Sequence, residues 1–340
     1  MASEETAGSI LHALRSTAVR ALSAWDIDVA SLEFVVAREN AVFRARRHDG
    51  RWVAVRVLRP GYHDAAELES EVEWTTALIA AGIDTPATVA AIDGRHFVAA
   101  RGDDGVERMV GVVEWIDGEA LAASLLDERG IDVCRQLGEL MARLHEHAGS
   151  WVPSASFTRH RLDADGLLGD QPWWGRFWDV PEIDSTQRPA IEAARRELRQ
   201  LLDQLGTSPS TFSLIHADLL PQNVLVRDGS PFVIDFDDAA FGWHHYEMAV
   251  SLYDIADPDA RAERRAALLE GYRRVRPFSA ADETLLPAFH VLRQLQVIGW
   301  LHPRLDLILA VNGRSDTRAE VMEGRLARVV RDIDEWLAAR

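Results

Sequence analysis

Oxygen-bearing side chains cluster in one short stretch of the sequence. Asp218 and Asn223 lie within the eight residues that begin at His216, and Asp235 and Asp237 follow shortly after. Phosphoryl transfer needs an acceptor hydroxyl held in line and a cation that neutralises the phosphates. Asp218 can accept the hydroxyl proton, and the Asn223 amide oxygen and Asp235 carboxylate are ligands that Mg²⁺ prefers. Asp237 is a possible second carboxylate ligand. The spacing therefore predicts a phosphoryl-transfer site.

Two short strands are predicted between these candidates. Residues 223–226 and 231–234 are mainly apolar, and the intervening Arg-Asp-Gly-Ser segment is typical of a turn. The resulting hairpin places Asn223 and Asp235 at one edge, with Asp218 in the loop just before it. An ordinary hairpin whose Asp and Asn only cap turns is the alternative. The order His, Asp, Asn, hairpin, Asp favours the catalytic interpretation.

A third predicted strand, residues 52–58, carries a basic side chain. Its valines share one face, while Ala54 and Arg56 share the other. In protein kinases the corresponding strand places an Ala beneath the nucleotide base and a Lys beside the phosphates. Arg56 keeps the charge of that Lys and can grip two phosphate oxygens. A strand arginine on a solvated face is the alternative.

An acidic helix, predicted between Asp64 and Gly82, follows this strand. The predicted buried stripe comprises Leu68, Val72 and Ile79. Glu71 lies near the border of that stripe and is the predicted partner of Arg56. Alternatively, all the glutamates of this helix face solvent.

The stretches Leu214–Leu225 and Val233–Asp238 together resemble the signature of the aminoglycoside phosphotransferase family, which also holds choline and homoserine kinases. Asp237-Asp238 resembles the branch with the bacterial stress-response Ser/Thr kinases. The resemblance implies an α+β, protein-kinase-like two-lobed fold, with a small β-rich N-lobe and a larger, mainly helical C-lobe. It also implies transfer from ATP, with Mg²⁺, to a hydroxyl. Glu39–Val42 resembles the family's nucleotide loop, so Asn40 is a candidate nucleotide contact.

On this pattern the chain divides into an N-lobe (1–112), a hinge (113–118) and a C-lobe (119–340). We expect the backbone of Glu114 and Ile116 to meet the adenine at the hinge. Helical patterns dominate the C-lobe, at 133–147, 188–205, 246–254, 258–275 and 283–301.

The composition of the chain limits the classes of molecule that it is expected to bind. Its 340 residues carry a formal charge of -17, which argues against a general nucleic-acid surface and suits a cationic or neutral acceptor. A single cysteine, Cys134, excludes an internal disulfide framework and indicates a reducing cytoplasm. No apolar run reaches about 18 residues, so no membrane span is predicted, and the acidic N-terminus is unlike a signal peptide.

Two regions are candidates for the acceptor pocket. The tryptophans between Trp151 and Trp178 can wall a pocket or anchor a loop, and the acids between Asp306 and Asp334 can bind an amine or only solvate a helix. The leading function is a kinase for a small-molecule hydroxyl such as an aminoglycoside or amino alcohol. The alternatives are a stress-response type Ser/Thr protein kinase and a nucleotide-binding pseudokinase scaffold. The acceptor, the choice between ATP and GTP and the oligomeric state stay open.

Overall fold

An antiparallel sheet forms the centre of the first of two units in the computed structural model, which describes residues 2–37, 40–124, 130–311 and 316–340. The first unit comprises Met1–Gly118, Pro153–Thr158 and Leu307–Arg314, and the second comprises the remaining segments. The elements of residues 1–118 are α1 (Ala2–Ala21), β1 (Ile27–Ala37), β2 (Ala41–Arg47), β3 (Trp52–Val57), α2 (Ala65–Ala80), β4 (Phe97–Arg101) and β5 (Glu107–Glu114). Its strands pair in the order β1-β2-β3-β5-β4.

Helix α2 forms where its local signals predict it. The Asp64 side chain accepts from the Glu67 backbone N–H in a capping box, and Gly82, just beyond the helix, has a φ of 74°. The predicted buried stripe is wrong in one position, because Ile79 is 42% exposed while the neighbouring Leu78 is fully buried. The inward face of the helix carries Leu68, Thr75 and Leu78, at i, i+7 and i+10 spacing.

The second unit is mainly helical. Its elements are β6 (Glu119–Ala120), α3 (Gly130–Ser150), β7 (Arg161–Leu162), α4 (Ala164–Leu168), α5 (Arg188–Leu205), β8 (Phe212–Ile215), β9 (Val224–Arg227), β10 (Ser230–Val233), β11 (Ala240–Trp243), α6 (His244–Leu252), α7 (Pro258–Val275), α8 (Ala280–Leu301) and α10 (Arg318–Ala338), while α9 (Leu305–Val311) crosses the boundary between the units. The strands form two small sheets, β10-β9-β6 and β7-β11-β8. The predicted α+β fold, β-rich at the N-terminal side and helical towards the C-terminus, is confirmed.

Close helix packing fixes the core of the second unit. A side chain on Gly138 of α3 would collide with the Leu268 carbonyl of α7, and one on Gly271 of α7 would collide with the Arg135 carbonyl of α3. The two glycines therefore let the helix backbones approach each other. All nine residues of α6 are buried beside them. Cys134 is buried too, and burial raises the pKa of its thiol to about 11.

Among the described residues, no helix is both long enough and apolar enough to cross a membrane.

Candidate active site

The loop after β8 carries the predicted base on a strained backbone. Of the described non-glycine residues, three have positive φ, and two of them, Ala217 (63°) and Asp235 (67°), stand next to or at predicted site positions. The third, Asp228, forms the tight β9–β10 turn with Gly229. Such backbone persists only where surrounding contacts hold it. The predicted hairpin is confirmed, with β9 and β10 antiparallel.

Asp218 and Asn223 are in direct contact. The Asn223 side-chain Nδ2 donates to the Asp218 carboxylate Oδ2 at 2.8 Å and to the Asp218 carbonyl at 2.9 Å. Because the amide nitrogen is committed to Asp218, the Asn223 amide oxygen is the atom left for a cation. The Asn223 carbonyl also accepts from the Ile234 backbone N–H at 2.9 Å, which ties the segment before Asp235 to the same place.

The predicted metal ligands differ in their surroundings. Asp235 is exposed, whereas Asp237 is 5% exposed. Amide oxygen and carboxylate are the donors that a hard divalent cation prefers, so Asn223 and Asp235 suit magnesium. Asp237 lies deeper than a primary ligand needs to, and its backbone carbonyl accepts from buried Arg159.

Arg159 was not predicted from the sequence. Its guanidinium also donates to the carbonyls of Ala239 at 2.5 Å and Phe236 at 3.2 Å. One buried cation thus satisfies three carbonyls between Phe236 and Ala239, which fixes the turn that follows Asp235.

A second unpredicted arginine contacts the predicted base, Asp218. Arg293 of α8 donates through Nη2 to Asp218 Oδ1 at 3.0 Å, and its guanidinium lies over the rings of Trp174 and Tyr253. Burial raises the pKa of Asp218, with Asp238 and Asp235 adding to the rise, and Arg293 opposes it. Arg293 therefore favours the ionised carboxylate that a base requires.

A buried carboxylate supports the loop that carries Ala217 and Asp218. Glu247 of α6 is fully buried; its Oε1 accepts from the Ala217 backbone N–H at 2.9 Å, and its Oε2 contacts His145 Nε2 at 2.6 Å. His145 Nδ1 contacts the Tyr272 hydroxyl at 2.9 Å. Burial raises the pKa of Glu247 to about 7 and lowers that of His145 well below its ordinary value.

The histidines are structural in their contacts. His216 lies 3.0 Å from the Ile234 carbonyl through Nε2, and its ring packs at 4.7 Å from Phe236. Burial lowers its pKa, so the ring is neutral. His244 Nε2 contacts Ser213 and His245 Nε2 contacts Asp282, so this adjacent pair points to different partners.

The candidate nucleotide residues lie in the first unit. Arg56 and Glu71 form an ion pair, and both side chains are at least nine-tenths buried. Ala54 lies opposite Val113 in the sheet. The Asn40 side-chain oxygen accepts from the Arg59 backbone N–H at 3.0 Å, and Glu39 lies outside the described residues. The Glu114 backbone N–H donates to the Ala87 carbonyl, and Ile116 follows β5.

The tryptophan segment mainly anchors the second unit. Trp174 and Trp178 are buried, and Trp173 stacks on His160 with ring centroids 3.8 Å apart. Trp174 also lies 5.6 Å from the guanidinium of Arg293, the partner of Asp218. The segment thus reaches the surroundings of the base through one side chain.

Known proteins share sequence similarity with this chain. The sequence model described as "Phosphotransferase enzyme family" matches residues 33–278. A homoserine kinase of Hyphomonas neptunium is 28% identical over 269 residues, 74% of each chain. A homoserine kinase of Rhodospirillum rubrum is 31% identical over 158 residues, 45% of this chain and 46% of that protein.

Solved structures extend the likeness to nearly the whole chain. A microcompartment-associated aminopropanol kinase superposes with a TM-score of 0.81 at 29% identity, over 95% of this chain and 97% of that one. An amicoumacin kinase in complex with AMP-PNP, Ca²⁺ and its antibiotic superposes with a TM-score of 0.74 at 21% identity, over 92% and 91%. The second likeness shows the fold, and the kinase-like fold expected from the sequence is confirmed.

Substitutions at Arg56 and Glu71 distinguish a structural role of this buried ion pair from a role in nucleotide binding. Arg56→Met alone should lower the free energy of unfolding by about 3–5 kcal/mol, because Glu71 is left buried and unpaired. The double variant Arg56→Met/Glu71→Leu should regain most of that stability, but its Mg-ATP affinity should stay below that of the wild type. Urea unfolding and calorimetric titration measure the two quantities. Wild-type Mg-ATP affinity in the double variant would make the pair purely structural.

Glu247 should support the loop chiefly by accepting from Ala217. Glu247→Leu leaves that N–H buried and unpaired, so we expect a loss of about 1–3 kcal/mol in unfolding free energy and a reduced kcat. Glu247→Gln keeps an acceptor and should retain most of the kcat. Near-wild-type stability and kcat for Glu247→Leu would contradict this role.

The raised pKa of Glu247 predicts that the free energy of unfolding depends on pH. Its folded pKa of about 7 lies above its ordinary 4.5, so its stabilising contribution is complete below pH 4.5 and declines as pH rises towards 7, by up to about 1.4 kcal/mol per pH unit. The difference in unfolding free energy between wild type and Glu247→Gln should fall over that range. A difference independent of pH would show that Glu247 is ionised throughout.

Proposed function

The chain belongs to the phosphotransferase enzyme family, and on that premise we propose that it moves the γ-phosphate of ATP, with Mg²⁺, to a hydroxyl of a small molecule. The observation that carries this proposal is the contact between Asp218 and Asn223. It orients a carboxylate and leaves an amide oxygen for a cation, as the reaction needs.

Asp218 is the proposed base. The acceptor oxygen forms a bond to the γ-phosphorus, the bond from that phosphorus to the β,γ-bridging oxygen breaks, and ADP leaves. The acceptor proton passes to Asp218. Contacts from Arg293 to Oδ1 and from Asn223 to Oδ2 hold the carboxylate plane in one orientation, which favours in-line attack.

Asn223 and Asp235 are the proposed magnesium ligands, and Asp237 is a possible additional one. Bound magnesium would neutralise phosphate charge. The exposed carboxylate of Asp235 supports the assignment, as does the Asn223 amide oxygen, which is left for a cation because the amide nitrogen donates to Asp218. Arg159 holds the Asp235 turn in place.

The remaining nucleotide contacts are proposed for the first unit. Arg56, held by Glu71, would bind phosphate oxygens, and Ala54 would lie against the base. Asn40 would cover the phosphates, and the backbone of Glu114 and Ile116 would meet the adenine edge. Because the Glu114 N–H is already donated to Ala87, its carbonyl is the group proposed for adenine.

The proposed acceptor is a small alcohol, in line with relatives named as homoserine and aminopropanol kinases. The curated relatives after the first are spanned for only about half of their length, so the acceptor is inferred and not transferred from them. A reducing cytoplasm is the proposed setting, in keeping with the single buried Cys134.

Removing the proposed base should stop phosphoryl transfer but leave nucleotide binding nearly unchanged. Asp218→Ala should lower kcat by about 10²–10⁴-fold, the usual contribution of a positioned base, with Mg-ATP affinity nearly unchanged. Asp203→Ala, at an exposed position of α5, is the matched control. Near-normal turnover of Asp218→Ala would refute the base assignment.

Removing the proposed ligand Asp235 should weaken metal binding. Asp235→Ala should weaken Mg²⁺-dependent nucleotide binding by about tenfold or more, because a carboxylate ligand is lost. A magnesium titration at fixed ATP measures this, with Asp203→Ala again as control. An unchanged magnesium midpoint would exclude Asp235 as a ligand.

A further inference from the structure

A short segment between α3 and β7, Pro153–Thr158, makes polar contacts with helix α2. It belongs to the first unit, although the residues on both sides of it in the chain belong to the second. Phe157 is half-buried, and the other five residues are exposed. We call this segment the strap. Because it buries little apolar surface, its hydrogen bonds with α2 are the contacts that decide its role.

The strap donates three hydrogen bonds to side chains of α2. The backbone N–H and the hydroxyl of Ser154 donate to the two carboxylate oxygens of Glu73, both at 2.7 Å. The backbone N–H of Thr158 donates to the Ser70 hydroxyl at 2.9 Å. Hydrogen bonds to a carboxylate are stronger than those between neutral groups. The contact between Ser154 and Glu73 is therefore the stronger of the two.

The strap contacts flank the buried partner of Arg56. Ser70 directly precedes Glu71 in α2, and Glu73 lies two residues after it. Ser70 and Glu71 are both buried, and the Ser70 hydroxyl also donates to the Ala66 carbonyl at 2.8 Å. The turn of α2 that presents Glu71 to Arg56 is therefore the turn that the strap contacts.

Apolar packing contacts α2 on the side opposite the strap. Leu68 and Val72 pack with Leu58 and Phe97 in a small cluster. Successive residues of a helix are about 100° apart, which places the two residues that contact the strap opposite Leu68 and Val72. The same spacing places Glu71 between these two sides. A shift of α2 towards or away from the strap would therefore move Glu71 relative to its partner.

The strap continues directly into a residue that is itself fixed. Arg159 follows Thr158 in the chain, is buried, and donates to carbonyls between Phe236 and Ala239. The C-terminal end of the strap is thus restrained by the arginine that fixes the turn after Asp235. A restrained segment can position a helix, whereas a free loop would follow the motion of that helix.

We propose that the strap positions the Arg56–Glu71 pair for phosphate binding, with Ser154 and Glu73 as the positioning residues. This inference rests on the proposed role of Arg56 at the phosphates of the nucleotide. When the contact is formed, α2 presents Glu71 to Arg56 and directs the guanidinium towards the phosphates. When the contact is lost, α2 also populates positions in which the pair is misaligned. The apparent affinity for the nucleotide then falls with the fraction of aligned molecules.

Variants of the contact test this role by calorimetric titration with Mg-AMP-PNP, a nucleotide that is not turned over. Glu73→Ala removes the acceptor of both Ser154 hydrogen bonds and should raise Kd by about threefold to tenfold. Ser154→Asp places a second carboxylate against Glu73 and should raise Kd at least as much. Glu73→Gln keeps an acceptor and should stay within about twofold of the wild type. The double variant Ser154→Asp/Glu73→Lys restores opposite charges and should recover most of the affinity.

A double-mutant comparison distinguishes positioning from a general effect on the fold. In the Arg56→Met/Glu71→Leu background, Glu73→Ala should cause no further loss of nucleotide affinity, because the strap acts through the pair. Exposed polar contacts contribute little to stability, so Tm should fall by no more than about 3 °C in Glu73→Ala. Thr76→Ala, at an exposed position of α2, is the control and should bind Mg-AMP-PNP as the wild type does.

The outcomes separate this inference from the proposed function. Wild-type Kd in both Glu73→Ala and Ser154→Asp, or an equal further loss without the Arg56–Glu71 pair, would overturn the positioning role and leave phosphoryl transfer standing. An absence of ADP formation with every acceptor would count against the proposed function. The titration needs no acceptor, so it still decides the inference in that case. Binding that weakens in Glu73→Ala supports the inference, and a wild-type protein that binds no Mg-AMP-PNP overturns it.

Discussion

The strained turn at Ala217 is the constraint on which the second unit depends. A residue with a Cβ has positive φ there, and the next residue is the proposed base. The turn is held because its N–H has one committed acceptor, the fully buried carboxylate of Glu247. That carboxylate is contacted in turn by His145, which Tyr272 of α7 fixes from the other side. Helices α3, α6 and α7 therefore act together to place one loop.

Charged side chains surround this loop, and each of them holds a group of the site in position. Arg293 and Asn223 hold the two oxygens of Asp218, while Arg159 satisfies the carbonyls of the turn that carries Asp235. Buried charges cost desolvation energy and are retained where they are paired or hydrogen-bonded. Here the buried charges hold the proposed base and two proposed metal ligands in fixed positions. Phosphoryl transfer requires mainly such positioning from a protein.

Local signals made part of this arrangement predictable. The β9–β10 hairpin follows from its turn residues, and α2 begins at the Asp64 capping box. The pairing of Arg56 with Glu71 was predicted from the resemblance of this strand and helix to those of kinases. Ile79 was misassigned because the predicted stripe was centred on Leu68 and Val72, whereas the buried face is centred on Glu71 and Leu78. Arg159, Glu247 and Arg293 act across 77 or more, 30 and 75 residues of sequence, so local patterns could not find them. Glu247 and Arg293 did leave one signal, a charged residue inside an apolar helix.

The most direct test of phosphoryl transfer to a small molecule is ADP formation from Mg-ATP by the purified protein. Reactions would contain no acceptor, a pool of small amino alcohols, hydroxy amino acids and aminoglycosides, or a generic unfolded protein, with ³¹P NMR to identify a phosphate ester. The account predicts ADP and a new ester only with the small-molecule pool. Stimulation by the unfolded protein alone would indicate a protein kinase, and no stimulation by any acceptor, with ATP still bound, would indicate a nucleotide-binding scaffold.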